Sequence, residues 1–148
     1  TESEPGEAGL LRKLREAKPN IRATGADISA KAVELVKKNG FDAVVGGFPQ
    51  LPLAEGQFDV VLATEVLGHL SNPDEAVREV ARLMKRDGQA IITVPDDCLG
   101  PEDEVQHLRK YNAETFRAQL EPYFKQVTLT SVPDFSHHFL VAVCRFPQ

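Results

Sequence analysis

Apolar positions along the chain follow two spacings in alternation, and these spacings predict alternating helices and strands. Leucines at helical spacing in 10–14 predict a helix that ends before Pro19. The run FDVVLA at 58–63 and the run QAIITV at 89–94 are nearly continuous in apolar residues. Such runs are typical of parallel strands that are covered on both faces. The pattern therefore favours an α/β protein.

Two further helices are predicted from their end signals. Ser29 caps the first of them, which ends at Asn39-Gly40. The second begins at Asn72, has a capping box that Glu75 completes, and ends at Gly88. Short strands are predicted on either side of the first helix, at 21–27 and 41–45.

The order of these elements predicts the sheet. Four strands separated by helices indicate a parallel sheet with right-handed crossovers. The last two strands, at 125–132 and 137–146, are joined by a loop too short for a helix, so we expect an antiparallel hairpin. A mostly parallel sheet that ends in such a hairpin is the predicted fold.

Composition narrows the range of functions. The chain has 148 residues, a net charge of −5 and a pI near 5.4, which predicts one domain and argues against a nucleic-acid surface. No apolar run is long enough for a membrane span. The cysteines, Cys98 and Cys144, form neither a disulfide framework nor a zinc site, and no metal is expected from the histidine spacing. We expect a cytoplasmic protein.

Three strings of the sequence carry a family resemblance: IRATGADIS (Ile21–Ser29), LPLAEGQFDVVLATEVLGHL (Leu51–Leu70) and LMKRDGQAIITVP (Leu83–Pro95). In this order they resemble the class I S-adenosylmethionine-dependent methyltransferases, and most closely the methyltransferase type 11 domain. The resemblance implies a Rossmann-like fold, S-adenosylmethionine as cofactor and a small molecule as methyl acceptor.

Ligands of open parallel sheets bind beyond the carboxyl ends of the strands. The resemblance makes Asp27 the acid that holds the cofactor's ribose, since two carboxylate oxygens match a cis-diol. Alternatively, Asp27 caps the region of the following helix. Ile28 and Gly47 are also implied to bind the cofactor. Phe48 could stack on the adenine or be a core residue or loop anchor.

The second half of the implied site follows the run at 58–63. Thr64 and Glu65 would line the methionine side of the cofactor, or would be ordinary polar loop residues. His69 is a candidate general base or a residue that forms local hydrogen bonds. His107 and Tyr111 lie in the segment that covers the substrate in this family, and packing of that segment is their alternative role.

The sequence departs from the family at three places. The first strand and glycine-rich loop that should precede Leu10 are not found, and Glu2 and Glu4 stand where glycines are expected. Gly47 replaces the acid that usually accepts the adenine amino group, and Gly68 replaces the glutamate of "EHL". We therefore expect an N-terminally truncated domain, 1–148, in which cofactor binding is weak or absent.

These departures leave two functions open. The first is an S-adenosylmethionine-dependent methyltransferase domain that acts on a small molecule. The second is a non-catalytic or truncated relative that is stabilised by self-association. Without a first strand, the strands at 21–27 and 58–63 either pair directly or leave apolar edges for a second copy, or the chain is a fragment. A nicotinamide-binding Rossmann domain is a weaker reading, which the terminal hairpin and EVLGHL disfavour.

Overall fold

A computed structural model describes residues 6–96, 111–134 and 137–148. The chain divides into two compact units, Thr1–Pro52 and Leu53–Gln148. Helices and strands alternate through both units, and this confirms the predicted α/β class. No helix in the described part of the chain is long and apolar enough to cross a membrane.

The first unit contains a two-stranded parallel sheet and two helices. In chain order its elements are α1 (Gly6–Ala17), β1 (Thr24–Asp27), α2 (Ala30–Lys38) and β2 (Asp42–Val45). Residues pair in register from Thr24 with Asp42 to Asp27 with Val45, so the carboxyl ends of the two strands are neighbours. The core of this unit is formed by Val33, Val36, Phe41 and Ala43, with Leu11 and Ala23 packed against it.

Arg15 attaches α1 to the turn between α2 and β2. Its guanidinium lies 3.9 Å from the centroid of the Phe41 ring, and its Nη2 donates to the carbonyl oxygen of Gly40 at 2.9 Å. Gly40 has a φ of +86°, which is the left-handed conformation expected after the end of a helix. The predicted helix stop at Asn39-Gly40 is therefore confirmed.

The second unit contains a four-stranded sheet with the order β3-β4-β6-β5. Its elements are β3 (Phe58–Thr64), a short 3-10 helix (Leu67–His69), α3 (Pro73–Leu83), β4 (Met84–Pro95), α4 (Ala113–Leu120), β5 (Phe124–Asp134) and β6 (His137–Pro147). Strands β3 and β4 are parallel, whereas β6 is antiparallel to both β4 and β5. The predicted terminal hairpin is confirmed.

Side chains along β4 alternate between the two faces of this sheet. Ala90, Ile92 and Val94 are fully buried, and they share one face. Helix α3 buries Val77 and Val80, and α4 buries Phe116 and Leu120. On the other face, Val60 and Leu62 of β3 are exposed by 44% and 37%.

The end of α3 differs from the prediction. Helix α3 stops at Leu83 rather than at Gly88, and β4 begins at Met84 because this residue pairs with Phe58. Gly88 lies within β4, and its role is in the packing of β4 against β3. A Cβ atom there would lie 2.7 Å from the carbonyl oxygen of Asp59, so glycine permits the close approach of β3.

The start of α3 also corrects the prediction. Asn72 is the residue before the helix and Pro73 takes the first helical position, as expected. However, the Asn72 side chain forms no capping hydrogen bond, so the predicted capping box with Glu75 is wrong. The capping box lies instead at α4, where Asn112 and Thr115 exchange side chain–backbone hydrogen bonds of 2.9 Å.

Strands β1 and β3 belong to separate sheets among the described residues. Direct pairing between the segments 21–27 and 58–63, one of the expected alternatives, is therefore not found there. The strand predicted at 21–27 is also shorter than expected, since it begins at Thr24.

Candidate functional site

Asp27 is the last residue of β1, and the local turn positions its carboxylate. Oδ1 accepts a hydrogen bond of 2.7 Å from the backbone N–H of Ser29, the N-cap residue of α2. The Ser29 hydroxyl accepts in turn from the N–H of Ala32 at 3.2 Å. The N–H of Gly46, the residue after β2, donates to the Asp27 carbonyl oxygen at 2.9 Å. The half-buried carboxylate is thus held at the carboxyl end of the small sheet.

Ile28 and Gly47 lie against each other at this same edge. The Ile28 side chain is 80% exposed. A Cβ atom on Gly47 would lie only 2.5 Å from Ile28 Cγ2. The chain can therefore pass this close to Ile28 only because residue 47 lacks a side chain. Phe48, which follows, is half-buried.

In the second unit, Thr64 ends β3 and Glu65 continues in the left-handed region with a φ of 57°. The Glu65 N–H donates to two acceptors of Thr93 in β4, the carbonyl oxygen at 3.0 Å and Oγ1 at 3.2 Å. The Thr93 hydroxyl donates to Glu65 Oε2 at 3.5 Å. The turn after β3 is thus attached to the neighbouring strand, while Thr64 is exposed.

His69 ends the 3-10 helix that follows this turn, and its side chain is exposed. Its backbone N–H donates to the carbonyl oxygen of Val66 at 3.1 Å, so the backbone here is folded locally. Gly68 is buried. A glutamate in place of Gly68, as the family pattern has it, would therefore introduce a large polar side chain at a buried position.

Tyr111 is 4% exposed and packs edge-on against Phe116, with ring centroids 5.7 Å apart. Its hydroxyl donates to Gln119 Oε1 at 3.3 Å. These contacts favour the packing role that the sequence left open for Tyr111. His107, the other substrate candidate, lies outside the described residues.

The predicted residues form two groups, one in each compact unit. Asp27, Ile28, Gly47 and Phe48 come together at the joint end of β1 and β2. Thr64 and Glu65 adjoin Thr93 at the corresponding end of β3 and β4.

Thr93 and Asp96 are not among the site residues predicted from the sequence. Asp96 directly follows β4, is 6% exposed, and donates from its N–H to the carbonyl oxygen of His138 at 2.8 Å. The rule that singled out Asp27, an acid at the carboxyl end of a strand, applies equally to Asp96. For Thr93, the only signal in the sequence is its position as a polar residue near the end of an apolar strand. In the described part of the chain, no three acidic, histidine or cysteine side chains cluster in a way that could hold a metal ion.

Comparison with known proteins shows relatives among methyltransferases. Residues 5–92 match the family described as "Methyltransferase domain". An uncharacterized protein of Methanocaldococcus jannaschii, MJ1123, is 33% identical over 111 residues, which are 72% of this chain and 54% of that protein. The chain spans about half or less of the length of the curated relatives it matches.

Solved structures share the fold. One is the 1,6-didemethyltoxoflavin-N1-methyltransferase of Burkholderia thailandensis with bound 1,6-didemethyltoxoflavin and S-adenosylhomocysteine, with a TM-score of 0.72 and 19% identity. The match covers 98% of this chain and 67% of the Burkholderia chain. Another is a chain of a complex that contains the Haloferax volcanii Trm112 methyltransferase activator. It has a TM-score of 0.73 and 17% identity, and the match covers 97% of this chain and 80% of that chain. Because the family match at residues 5–92 spans more than half of its length, this chain belongs to the Methyltransferase domain family.

Proposed function

We propose that the chain is an S-adenosylmethionine-dependent methyltransferase domain that methylates a small molecule. The observation that carries the proposal is the group at the end of β1 and β2, where the Asp27 carboxylate is held by Ser29 and the exposed Ile28 follows Asp27 in the chain. A carboxylate beside an exposed apolar side chain suits a nucleoside, which has a diol next to a flat ring. Membership in the family supports the same cofactor.

The residues of the first unit fit the adenosine part of that cofactor. Asp27 uses one lone pair of Oδ1 for Ser29, and its remaining acceptor capacity suits the ribose hydroxyls. Ile28, and Phe48 directly after Gly47, would contact the adenine ring. Gly47 supplies no acid for the adenine amino group, and its tight approach to Ile28 excludes one without a shift of that side chain.

The family resemblance alone assigns Thr64 and Glu65 to the methionine part of the cofactor. When bound, S-adenosylmethionine supplies the methyl group, and the protein acts mainly by positioning. The left-handed turn at Thr64 and Glu65, attached to Thr93, would present backbone groups to the methionine part. His69, which is exposed, would accept the proton of a hydroxyl or amine acceptor.

The experiment that tests the proposal is calorimetric titration with S-adenosylhomocysteine. We expect saturable but weak binding, which an Asp27→Ala variant abolishes. Asp42→Ala is the matched control because it removes an exposed carboxylate from the opposite end of the same small sheet. An absence of binding at millimolar ligand, or an equal loss in both variants, would contradict the proposal.

Gly47 favours the second candidate function, a non-catalytic relative with an impaired cofactor pocket. The position that usually holds an acid for adenine has no side chain here. Such a protein would bind no S-adenosylhomocysteine and would instead self-associate through exposed apolar strand residues such as Val60 and Leu62. Sedimentation velocity without ligand separates the two candidate functions. Only the non-catalytic relative is expected to form a dimer, and the Leu62→Lys variant of that dimer should be a monomer.

A further inference from the structure

The second unit has a cavity of about 590 Å³ at the edge of its sheet where β4 begins and β6 ends. Lys85 lines this cavity, whereas Thr93 of the candidate site lies eight residues further along the same strand. At the rise of a β-strand, this spacing places the two residues roughly 25 Å apart. The cavity is therefore a separate feature from the group at Thr64, Glu65 and Thr93.

The charged side chains that line the cavity are mostly basic. Four are cationic, namely Arg78, Arg82, Lys85 and Arg86, and one is acidic, Glu55. This local excess of positive charge contrasts with the chain's overall net charge of −5. A concave site that gathers cations on an acidic protein attracts anions from solution.

Two of the four cations have carboxylate partners that hold them in place. Arg82 donates to both oxygens of the buried Glu79, at 2.6 and 2.8 Å, and to the carbonyl oxygen of Leu53 at 2.9 Å. Lys85 pairs with Asp59 at 3.1 Å across the start of the sheet. These contacts fix the wall of the cavity and partly neutralise it.

Arg78 and Arg86 are the two cations that remain, and together they outnumber the one acidic side chain of the lining, Glu55. The Arg78 guanidinium lies 5.7 Å from the centroid of the Tyr123 ring, which orients it without neutralising it. Within the described residues, neither arginine forms an ion pair with a carboxylate. Guanidinium groups of this kind match the geometry of phosphate oxygens, which they bind with two parallel hydrogen bonds.

Ala81, Met84, Tyr123 and Pro147 give the lining an apolar and aromatic part, and Gly56 and Gln148 complete it. A cavity of this volume lies within the usual range for small-molecule sites, about 300–1,000 Å³. We propose that it binds a small organic phosphate, with the phosphate group held by Arg78 and Arg86 and the organic part on the apolar lining. This would be a second ligand site, distinct from the proposed methyl-transfer site.

Calorimetric titration of the full chain with inorganic pyrophosphate, at low ionic strength, tests the proposal. We expect saturable binding that weakens about tenfold in the double variant Arg78→Gln/Arg86→Gln. The control is Arg117→Gln/Lys125→Gln, which removes the same two charges outside the cavity lining and should leave the affinity within twofold. Equal loss in both double variants would show general charge attraction and overturn the proposal, as would an absence of binding at millimolar pyrophosphate.

Competition with S-adenosylhomocysteine locates the bound pyrophosphate. The two ligands are expected to bind independently, and pyrophosphate should shift the backbone amide resonances of 81–86 but not those of 26–28. Displacement of one ligand by the other would place pyrophosphate in the cofactor site and overturn the proposal. Failure of S-adenosylhomocysteine to bind would leave the pyrophosphate result intact, so the two proposals fail separately.

Discussion

The Oδ1 atom of Asp27 accepts a hydrogen bond of 2.7 Å from the backbone N–H of Ser29. The two roles considered for Asp27, ligand binding and shaping the start of α2, are therefore compatible in one side chain. A carboxylate has about four lone-pair positions, and the turn uses one of them. The hydrogen bond also fixes the rotamer, so that little side-chain entropy is lost when a ligand binds.

Asp27→Asn separates these two roles. The amide oxygen can still accept from Ser29, so the free energy of unfolding should change by less than about 0.5 kcal/mol. The charge is lost, and the affinity for S-adenosylhomocysteine should fall about tenfold or more, because hydrogen bonds to charged groups contribute about 1.5–3 kcal/mol. Calorimetry and urea denaturation measure the two effects. Unchanged affinity with reduced stability would assign Asp27 a structural role alone.

Gly47→Ala tests the close approach to Ile28. The new methyl group would lie 2.5 Å from Ile28 Cγ2, but the Ile28 side chain is 80% exposed and can move away. We expect a loss of stability below about 1 kcal/mol, together with weaker binding of S-adenosylhomocysteine because Ile28 is displaced. In an Ile28→Ala background the substitution should have no further effect on binding. Additive effects of the two substitutions would contradict this coupling.

Glu65→Val tests the left-handed turn after β3. A β-branched residue at a φ of 57° is strongly disfavoured, so this variant should be less stable by about 1–2 kcal/mol. Glu65→Gly is the matched control, since glycine adopts this conformation without strain and, like valine, lacks the carboxylate that contacts Thr93. Thermal denaturation of the two variants gives the comparison. Equal stability of both variants would show that the turn can change its conformation.

The alternation of apolar segments was sufficient to predict the α/β class, the parallel pairing of β3 with β4 and the terminal hairpin, because these follow from local periodicity and loop length. The boundary between α3 and β4 was not predictable in this way. Met84 continues the helical apolar stripe, but its pairing with Phe58 places it in the strand. Likewise, the burial of Asp96 and the left-handed turn at Glu65 depend on contacts with distant segments, which a single sequence does not display.

The ion pair between Glu79 and Arg82 should matter more to stability than that between Asp59 and Lys85. Glu79 is 5% exposed, so Arg82→Met leaves a buried carboxylate without this partner, at a loss of about 3 kcal/mol. The double variant Glu79→Leu/Arg82→Met should recover most of that loss, since it removes the charge as well. The control Lys85→Met breaks an exposed pair and should lose less than about 0.5 kcal/mol. Similar losses for Arg82→Met and Lys85→Met in urea denaturation would contradict this ranking.

Cys144 should be chemically inert in the folded protein. Burial raises the pKa of its thiol from an ordinary 9.0 to about 12, so the reactive thiolate is scarce near neutral pH. In a Cys98→Ser variant, which isolates Cys144, a disulfide reagent at pH 8 should react fast only after denaturant is added. The pKa of the Cys144 thiol is higher in the folded protein than in the unfolded chain. The neutral thiol therefore stabilises the fold fully below about pH 9, and this stabilisation is lost as the pH rises toward about 12. Fast reaction at pH 8 without denaturant would show that β6 opens readily at Cys144.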